Sequence, residues 1–210
     1  MYLSRLTFNP RSRDAMRDAG STYEFHSTLM RLLPGSDDGE RALFRVDEHP
    51  DEGLHKALIL SRHAPSFITL ANGYALHIEG PIGFDPKLQA EQRLAFRLLA
   101  NPTRKIKSER NPKNGTRVAL LDPKAQEDWL RRKLTEAGAN IMQVDIRRAH
   151  KHLNYKHGDD SGTQTHFGVL FNGILQVEQP EVLKQSLFNG IGTAKGYGFG
   201  LLSLSPLNRQ

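Results

Sequence analysis

The sequence predicts an α+β protein made of two similar halves, and three observations carry that expectation. Short runs that alternate apolar and polar residues, the period of a strand with one buried face, are separated by stretches with helical spacing and recognisable caps. Their order is strand, helix, strand, strand, helix, strand, read twice. A turn-rich joint, Gly80-Pro-Ile-Gly-Phe-Asp-Pro86, falls between the two readings, and 210 residues suit two domains of roughly 100 each.

The first half opens on Tyr2 to Phe8, which alternates and reads as a strand. An arginine-rich stretch to Gly20 has room for a helical turn. Ser21 or Thr22 then caps a helix to about Leu33, which Pro34-Gly35 stops. Arg41 to Asp47 and Lys56 to Ser61 read as two strands joined by an acidic loop. A short helix near Phe67 and a strand from Tyr74 to Ile78 complete the half. In the second half, Arg93 to Ala100 is a strand that leads into a basic segment, with Arg117 to Leu121 as its return. Pro123 suits the first turn of a helix to Ala137, which Gly138 closes; Trp129, Leu130 and Leu134 share a face there, so Trp129 is expected in the core. Ile141 to Ile146 and Phe167 to Ile174 are strands, Pro180 opens a last helix to Phe188, and Phe199 to Leu204 is the final strand. The order is that of two tandem ferredoxin-like (RRM-like) β-α-β-β-α-β domains, at residues 1–84 and 85–210.

Composition narrows the function. With 38% hydrophobic and 25% charged residues, a packed core is expected. The absence of cysteine removes disulfides, thiolate nucleophiles and thiolate zinc sites. Arginines interrupt the first residues where a signal peptide needs its apolar region, and no apolar run is long enough to span a bilayer, so a soluble, cytoplasmic protein without a membrane partner is expected. The net charge of +6 is uneven. Residues 101–117 hold six basic residues (Arg104, Lys105, Lys107, Arg110, Lys113, Arg117) against one acid, and residues 147–157 hold four (Arg147, Arg148, Lys151, Lys156) against none. Charge of one sign at that density repels itself, and a polyanion relieves it. The interleaved Asn, Ser, Thr and Tyr side chains can contact phosphates or base edges, which favours nucleic acid.

The first helix carries the best candidate for chemistry. With Tyr23 set at 0° and about 100° per residue, Phe25, Leu29, Leu32 and Leu33 fall between about 180° and 280° and form the buried face. Tyr23, Ser27 and Met30 lie opposite, Arg31 sits near 80°, and His26 lies at the edge of the apolar stripe near 300°. A histidine placed there, one turn from a tyrosine, is partly shielded yet reachable, as a proton-transfer residue needs to be. His150, His152, His157 and His166 form a looser set in which metal ligation is a weaker alternative to phosphate contact. The tail, Gly190-Ile-Gly-Thr-Ala-Lys-Gly-Tyr-Gly-Phe-Gly200, lacks the spacing of a dinucleotide fingerprint and has no Walker pair. Its glycines let the backbone pass close to another chain or to a phosphate backbone, and Gly190, Gly192 and Lys195 are the candidates for RNA contact. No cofactor is expected.

The N-terminal strand, Tyr23-x-x-His26, Phe96-Arg-Leu-Leu-Ala-Asn-Pro102 and the phrase from Gly190 to Leu204 together resemble the CasE-type CRISPR repeat endoribonucleases of the RAMP superfamily, the crRNA-processing subunits of the type I-E Cascade complex. The resemblance spans essentially the whole chain, and the glycine-rich phrase is its most specific part. It implies tandem ferredoxin-like domains, metal-independent cleavage at the 3′ base of a repeat hairpin, retention of the product, and partnership with CRISPR repeat RNA and other Cascade subunits. By position it makes His26 the catalytic histidine and Tyr23 its assistant, and it puts Arg31 where some members have a basic residue. Ser27 is basic in some relatives, so charge is missing there. The two basic segments match regions that grip the stem. The alternatives from the residues are a noncatalytic RNA-binding or scaffold subunit and a metal-dependent nuclease built on the later histidines.

Overall fold

The computed structural model describes residues 1–34, 42–108, 111–154 and 164–207. The first half contains β1 (Tyr2–Phe8), α1 (Arg13–Gly20), α2 (Thr22–Leu32), β2 (Leu43–His49), β3 (Leu54–Ser61), a 3₁₀ turn at Phe67–Thr69 and β4 (Ala75–Gly83). Its antiparallel sheet has the order β2-β3-β1-β4. The second half contains β5 (Arg93–Ala100), β6 (Thr103–Ser108), β7 (Asn111–Ala119), α3 (Pro123–Glu136), β8 (Ala139–Asn154), β9 (Gln164–Val177), α4 (Pro180–Asn189), a 3₁₀ turn at Lys195–Tyr197 and β10 (Leu202–Pro206). Its sheet has the order β10-β5-β9-β8. In each sheet the first strand lies between the third and the last, which is the ferredoxin-like arrangement, so the predicted fold is the observed one. No helix among the described residues is long and apolar enough to cross a membrane.

Several boundaries differ from the sequence expectation, each for a physical reason. The arginine-rich stretch forms a full helix, α1, whose first turn is capped by Ser12 Oγ accepting from the Ala15 N–H. The helix expected near Phe67 is a single 3₁₀ turn. The joint at Gly80 is partly strand: β4 continues to Gly83, pairing Tyr2 with Gly83 and Leu3 with Ile82 across a register shift. Gly80 permits that bulge, because a Cβ there would stand 2.6 Å from the Leu3 carbonyl oxygen. The return strand expected at Arg117 to Leu121 is instead Asn111–Ala119, paired with β6 in a separate two-stranded ribbon. That ribbon lies in neither main sheet, so its sequence carries no buried-face alternation to read. β8 and β9 run well past their predicted ends, and β8 reaches into the second basic segment as far as Asn154. The last strand starts only at Leu202, because Gly198 and Gly200 hold positive φ and break strand geometry before it.

Apolar periodicity is satisfied in two cores. Leu6, Phe8, Phe25, Leu29, Phe44 and Ile59 fill the first. Leu98, Leu130, Leu134, Phe171, Leu175 and Leu183 centre the second, where the expected core residue Trp129 stacks on Phe171 with ring centroids 6.3 Å apart. A third cluster of Leu43, Leu60 and Leu201 joins the halves. Beside it Arg45, 4% exposed, donates from Nε to both Asp47 carboxylate oxygens at 2.9 and 3.0 Å. From its other end it donates to Ser203 Oγ at 2.8 Å and the Leu201 carbonyl at 3.3 Å. Asp47 also meets Arg97 across the junction at 3.6 Å. Burial lowers the Arg45 pKa, yet a guanidinium stays charged, so this cation is held by its partners rather than by water.

Removing the guanidinium strands Asp47 and two acceptors at the junction. Arg45→Ala is expected to lower the unfolding free energy by roughly 3 kcal/mol, the usual cost of breaking a buried ion pair from one side. Urea denaturation measures it, and an unchanged midpoint would mean that the junction does not need the clamp.

Candidate active site and RNA-contact surface

Helix α2 presents the predicted pair. Ser21 Oγ accepts from the Glu24 N–H at 3.4 Å and starts the helix. Phe25, Leu29 and Leu32 anchor it in the first core, as the wheel requires. Tyr23 and His26 are both half-buried and stand one turn apart on neighbouring positions of the helix surface. The His26 imidazole lies nearly parallel to Phe44, 20° between planes and 6.2 Å between centroids. Its Cε1–Nε2 edge faces Gly196, where a Cβ would come within 3.7 Å of both atoms. Nδ1 is buried and has no hydrogen-bond partner. Burial therefore pushes the His26 pKa below its ordinary value, and a neutral imidazole is favoured near pH 7.

The loop that meets His26 is the glycine-rich tail, and its glycines answer mainly to protein contacts. Gly190, at φ +73°, would place a Cβ 2.8 Å from a Leu43 methyl, and Gly192 would place one 3.1 Å from the Trp129 ring. Gly198, at φ +78°, would place one 3.1 Å from the Phe44 ring. A side chain at these positions would lift the loop off both halves, so the glycines keep it seated over α2 and β2. Lys195 Nζ donates to the Asn189 carbonyl at 2.6 Å, at the C-terminal end of α4, where a cation complements the exposed carbonyls.

Arg31 faces a different set of residues from His26. Its guanidinium donates to Thr28 Oγ1 at 3.0 Å, and Thr28 donates in turn to the fully buried Asp18 at 2.6 Å. Tyr74 Oη and Arg17 also donate to Asp18. These groups border an open cavity of about 500 Å³. The basic residues divide as well. Arg104, Lys105 and Lys107 on β6 and Arg117 on β7 are exposed. Arg147 on β8 is paired with Asp145 at 2.7 Å. Lys113 lies on β7 and Arg148 and Lys151 on β8, while Arg110 and Lys156 lie outside the described residues, as does His157. The sequence reading missed Phe44 as the floor under His26, since β2 carries no local sign of what lies above it. It treated His166 only as one of a loose histidine set, whereas the structure joins it to Asn101.

Comparison with known proteins follows the same outline. A family model described as CRISPR associated protein matches residues 1–206. The chain is 34% identical over 225 residues to the CRISPR-associated endoribonuclease Cse3 of Thermus thermophilus, covering 98% of this chain and 100% of the relative. It is 32% identical over 216 residues to the CRISPR system Cascade subunit CasE of Escherichia coli, covering 99% and 100%. Among solved structures, CRISPR endoribonuclease Cse3 bound to 19 nt RNA matches with a TM-score of 0.86 at 34% identity, covering 98% of this chain and 100% of that one.

The burial of His26 has a measurable sign. The unfolded chain takes up a proton at this residue near the ordinary histidine value of 6.5, and folded His26 does so only at lower pH. Its neutral form thus supports the fold above pH 6.5, and that contribution is lost as pH falls through the folded value. An NMR titration is expected to give a His26 midpoint below 6.5. His26→Gln should weaken the acid decline in stability, although His166, shifted the same way by burial, retains part of it. A midpoint at or above 6.5 would mean that the imidazole is solvated.

Proposed function

The chain belongs to the CRISPR-associated protein family, and on that premise we propose that it is the endoribonuclease that binds the repeat stem-loop of precursor crRNA and cuts at the 3′ base of the stem. The single observation that carries the chemistry is a half-buried histidine, one helical turn from a tyrosine, held where the glycine-rich loop crosses from one half to the other. Residues 1–84 present that helix, and residues 85–210 supply the basic ribbon and the loop. The product stays bound as the guide within a Cascade assembly, in the cytoplasm.

RNA contributes its own nucleophile, so the protein has only to align groups, move protons and stabilise charge. The 2′-oxygen forms a bond to the adjacent phosphorus while the bond to the 5′-oxygen of the next nucleotide breaks. The products are a 2′,3′-cyclic phosphate, or the 3′-phosphate after water opens it, and a 5′-hydroxyl. His26 takes the 2′-OH proton or gives one to the leaving 5′-oxygen, and its neutral resting form suits the first role. Tyr23 positions the scissile phosphate or the 2′-OH, and Lys195, next to the Gly196 that faces His26, offsets charge on the phosphorane; Arg31 can share that role only by leaving Thr28 and the Asp18 network. No step requires a metal. The A-form stem hides its bases in a narrow groove, so it is held through shape and phosphates by the exposed Arg104, Lys105, Lys107 and Arg117 and by the basic segment that β8 carries.

A labelled cognate repeat hairpin in EDTA tests the reading. Wild-type protein is expected to cut, and His26→Ala to lose roughly 10²- to 10⁴-fold in rate while binding persists. A 2′-deoxy nucleotide at the cleavage point should abolish cutting and spare binding. Binding without cutting by wild type would instead indicate a scaffold subunit, and rescue by added metal would indicate the histidines near 150–157. For the clamp, Lys105→Ala should reduce the slope of log affinity against log salt by roughly one phosphate equivalent. An unchanged slope would place the ribbon away from RNA.

A further inference from the structure

A second polar pocket adjoins the first site and has no part in the chemistry above. It encloses about 290 Å³ between Asn101, Thr103, Arg117, His166, Thr193 and Ala194, so that the turn after β5, the basic ribbon, β9 and the glycine-rich loop all border it. Asn101 is 7% exposed and its amide lies 3.1 Å from His166 Nδ1. The remaining atoms of that pair, Asn101 Oδ1 and His166 Nε2, are buried without a hydrogen-bond partner. Tyr197 and Phe199 hold the ring in place, with centroids 4.6 and 6.0 Å from that of His166.

The bond between the two side chains determines what the pair can offer. If the Asn101 amide donates to Nδ1, His166 carries its proton on Nε2, leaving one donor there and one acceptor on the amide oxygen. If the amide is turned over and accepts from Nδ1–H, Nε2 is left as an acceptor and the amide nitrogen as a donor. Either way the pair offers an acceptor alongside at least one donor, since the amide nitrogen carries two N–H groups. A phosphate oxygen has only lone pairs and would leave the acceptor unmatched, whereas the edge of a nucleobase carries donors and acceptors side by side. Burial also lowers the His166 pKa, so the imidazole is not poised as a cation for phosphate. The exposed Arg117, at the border, is the group suited to the phosphate of the same nucleotide.

We propose that this pocket takes an unpaired RNA base beside the cleavage point and that Asn101 and His166 read its edge. The inference rests on the nuclease reading for its RNA and deepens it by naming a base-specific subsite. Location follows from the loop. Thr193 and Ala194 border the pocket and Gly196 faces the His26 ring, and three residues span at most roughly 10 Å. The captured nucleotide is therefore adjacent to the cut bond or one removed from it.

The test uses repeat hairpins in which each nucleotide flanking the cleavage point is replaced in turn by an abasic one. The wild-type single-turnover cleavage rate at subsaturating protein should fall roughly ten-fold at one position, the scale of a paired base contact. His166→Phe keeps the ring packing and deletes both nitrogens; together with Asn101→Leu it should bring intact RNA down to the abasic level and erase the difference between the two. Variants that lose rate but keep the abasic penalty would overturn the proposal. So would a loss that is equal on every RNA and accompanied by a smaller salt slope, since that marks a phosphate contact. If the variants do not fold, the His166 ring resonances of wild type are compared with intact and abasic RNA, both carrying a 2′-deoxy block. A shift with the intact base alone supports the pocket, and identical shifts overturn it. Wild-type cleavage of the unmodified hairpin is followed throughout, so failure of the nuclease reading is seen separately from failure of the pocket.

Discussion

The seat of the 190–200 loop against both halves is the constraint on which the rest of the structure depends. Each core is complete in itself, but neither places anything over His26 until the loop crosses between them. Gly190 and Gly198 let it lie against Leu43 and Phe44 of β2, and Gly192 against Trp129 of α3. One segment thus touches helix α2, the first sheet and the second core. Backbone bonds fix its ends, with Ile191 N–H donating to Gly200 and Gly200 N–H to Leu99. The Arg45 clamp and the leucine cluster keep the two halves from sliding under it.

Electrostatic roles are divided in space. Cations that hold the fold have partners: Arg45 on Asp47, Arg17 on Asp18, Arg131 on Glu127. Arg104, Lys105, Lys107 and Arg117 of the β6–β7 ribbon are exposed to solvent, where a polyanion can meet them at little desolvation cost. The two half-buried histidines near the loop are kept neutral by burial, which separates the groups suited to proton transfer or base reading from those suited to phosphate. Arg31 belongs to the Asp18 network, so any charge it lends to a reaction is already oriented through Thr28.

Legibility in the sequence followed the range of the interaction. Helix α2 could be read residue by residue because its apolar stripe lies within eleven consecutive residues and its cap, Ser21, immediately precedes them. The strands of both sheets were visible wherever one face was buried, and their ends were misplaced where that pattern stopped. The β6–β7 ribbon lies outside both sheets, and the extension of β8 to Asn154 runs into the basic segment. The loop was recognisable by composition as a place of close backbone approach, but the sequence did not show that Leu43, Trp129 and Phe44 are what Gly190, Gly192 and Gly198 must clear.

By itself the sequence determined the order of elements, the face that α2 buries, the Tyr23–His26 spacing and the position of the two basic segments. Each of these depends on residues a few positions apart, where 3.6- and 2-residue periods and local charge density are sufficient. Only the tertiary structure decided that Phe44 lies beneath His26, that Arg45 reaches Leu201, 156 positions on, and that Asn101 meets His166 across 65. Those contacts depend on strand register and on where a positive-φ loop can pass without a Cβ, and neither is written in any local run of residues.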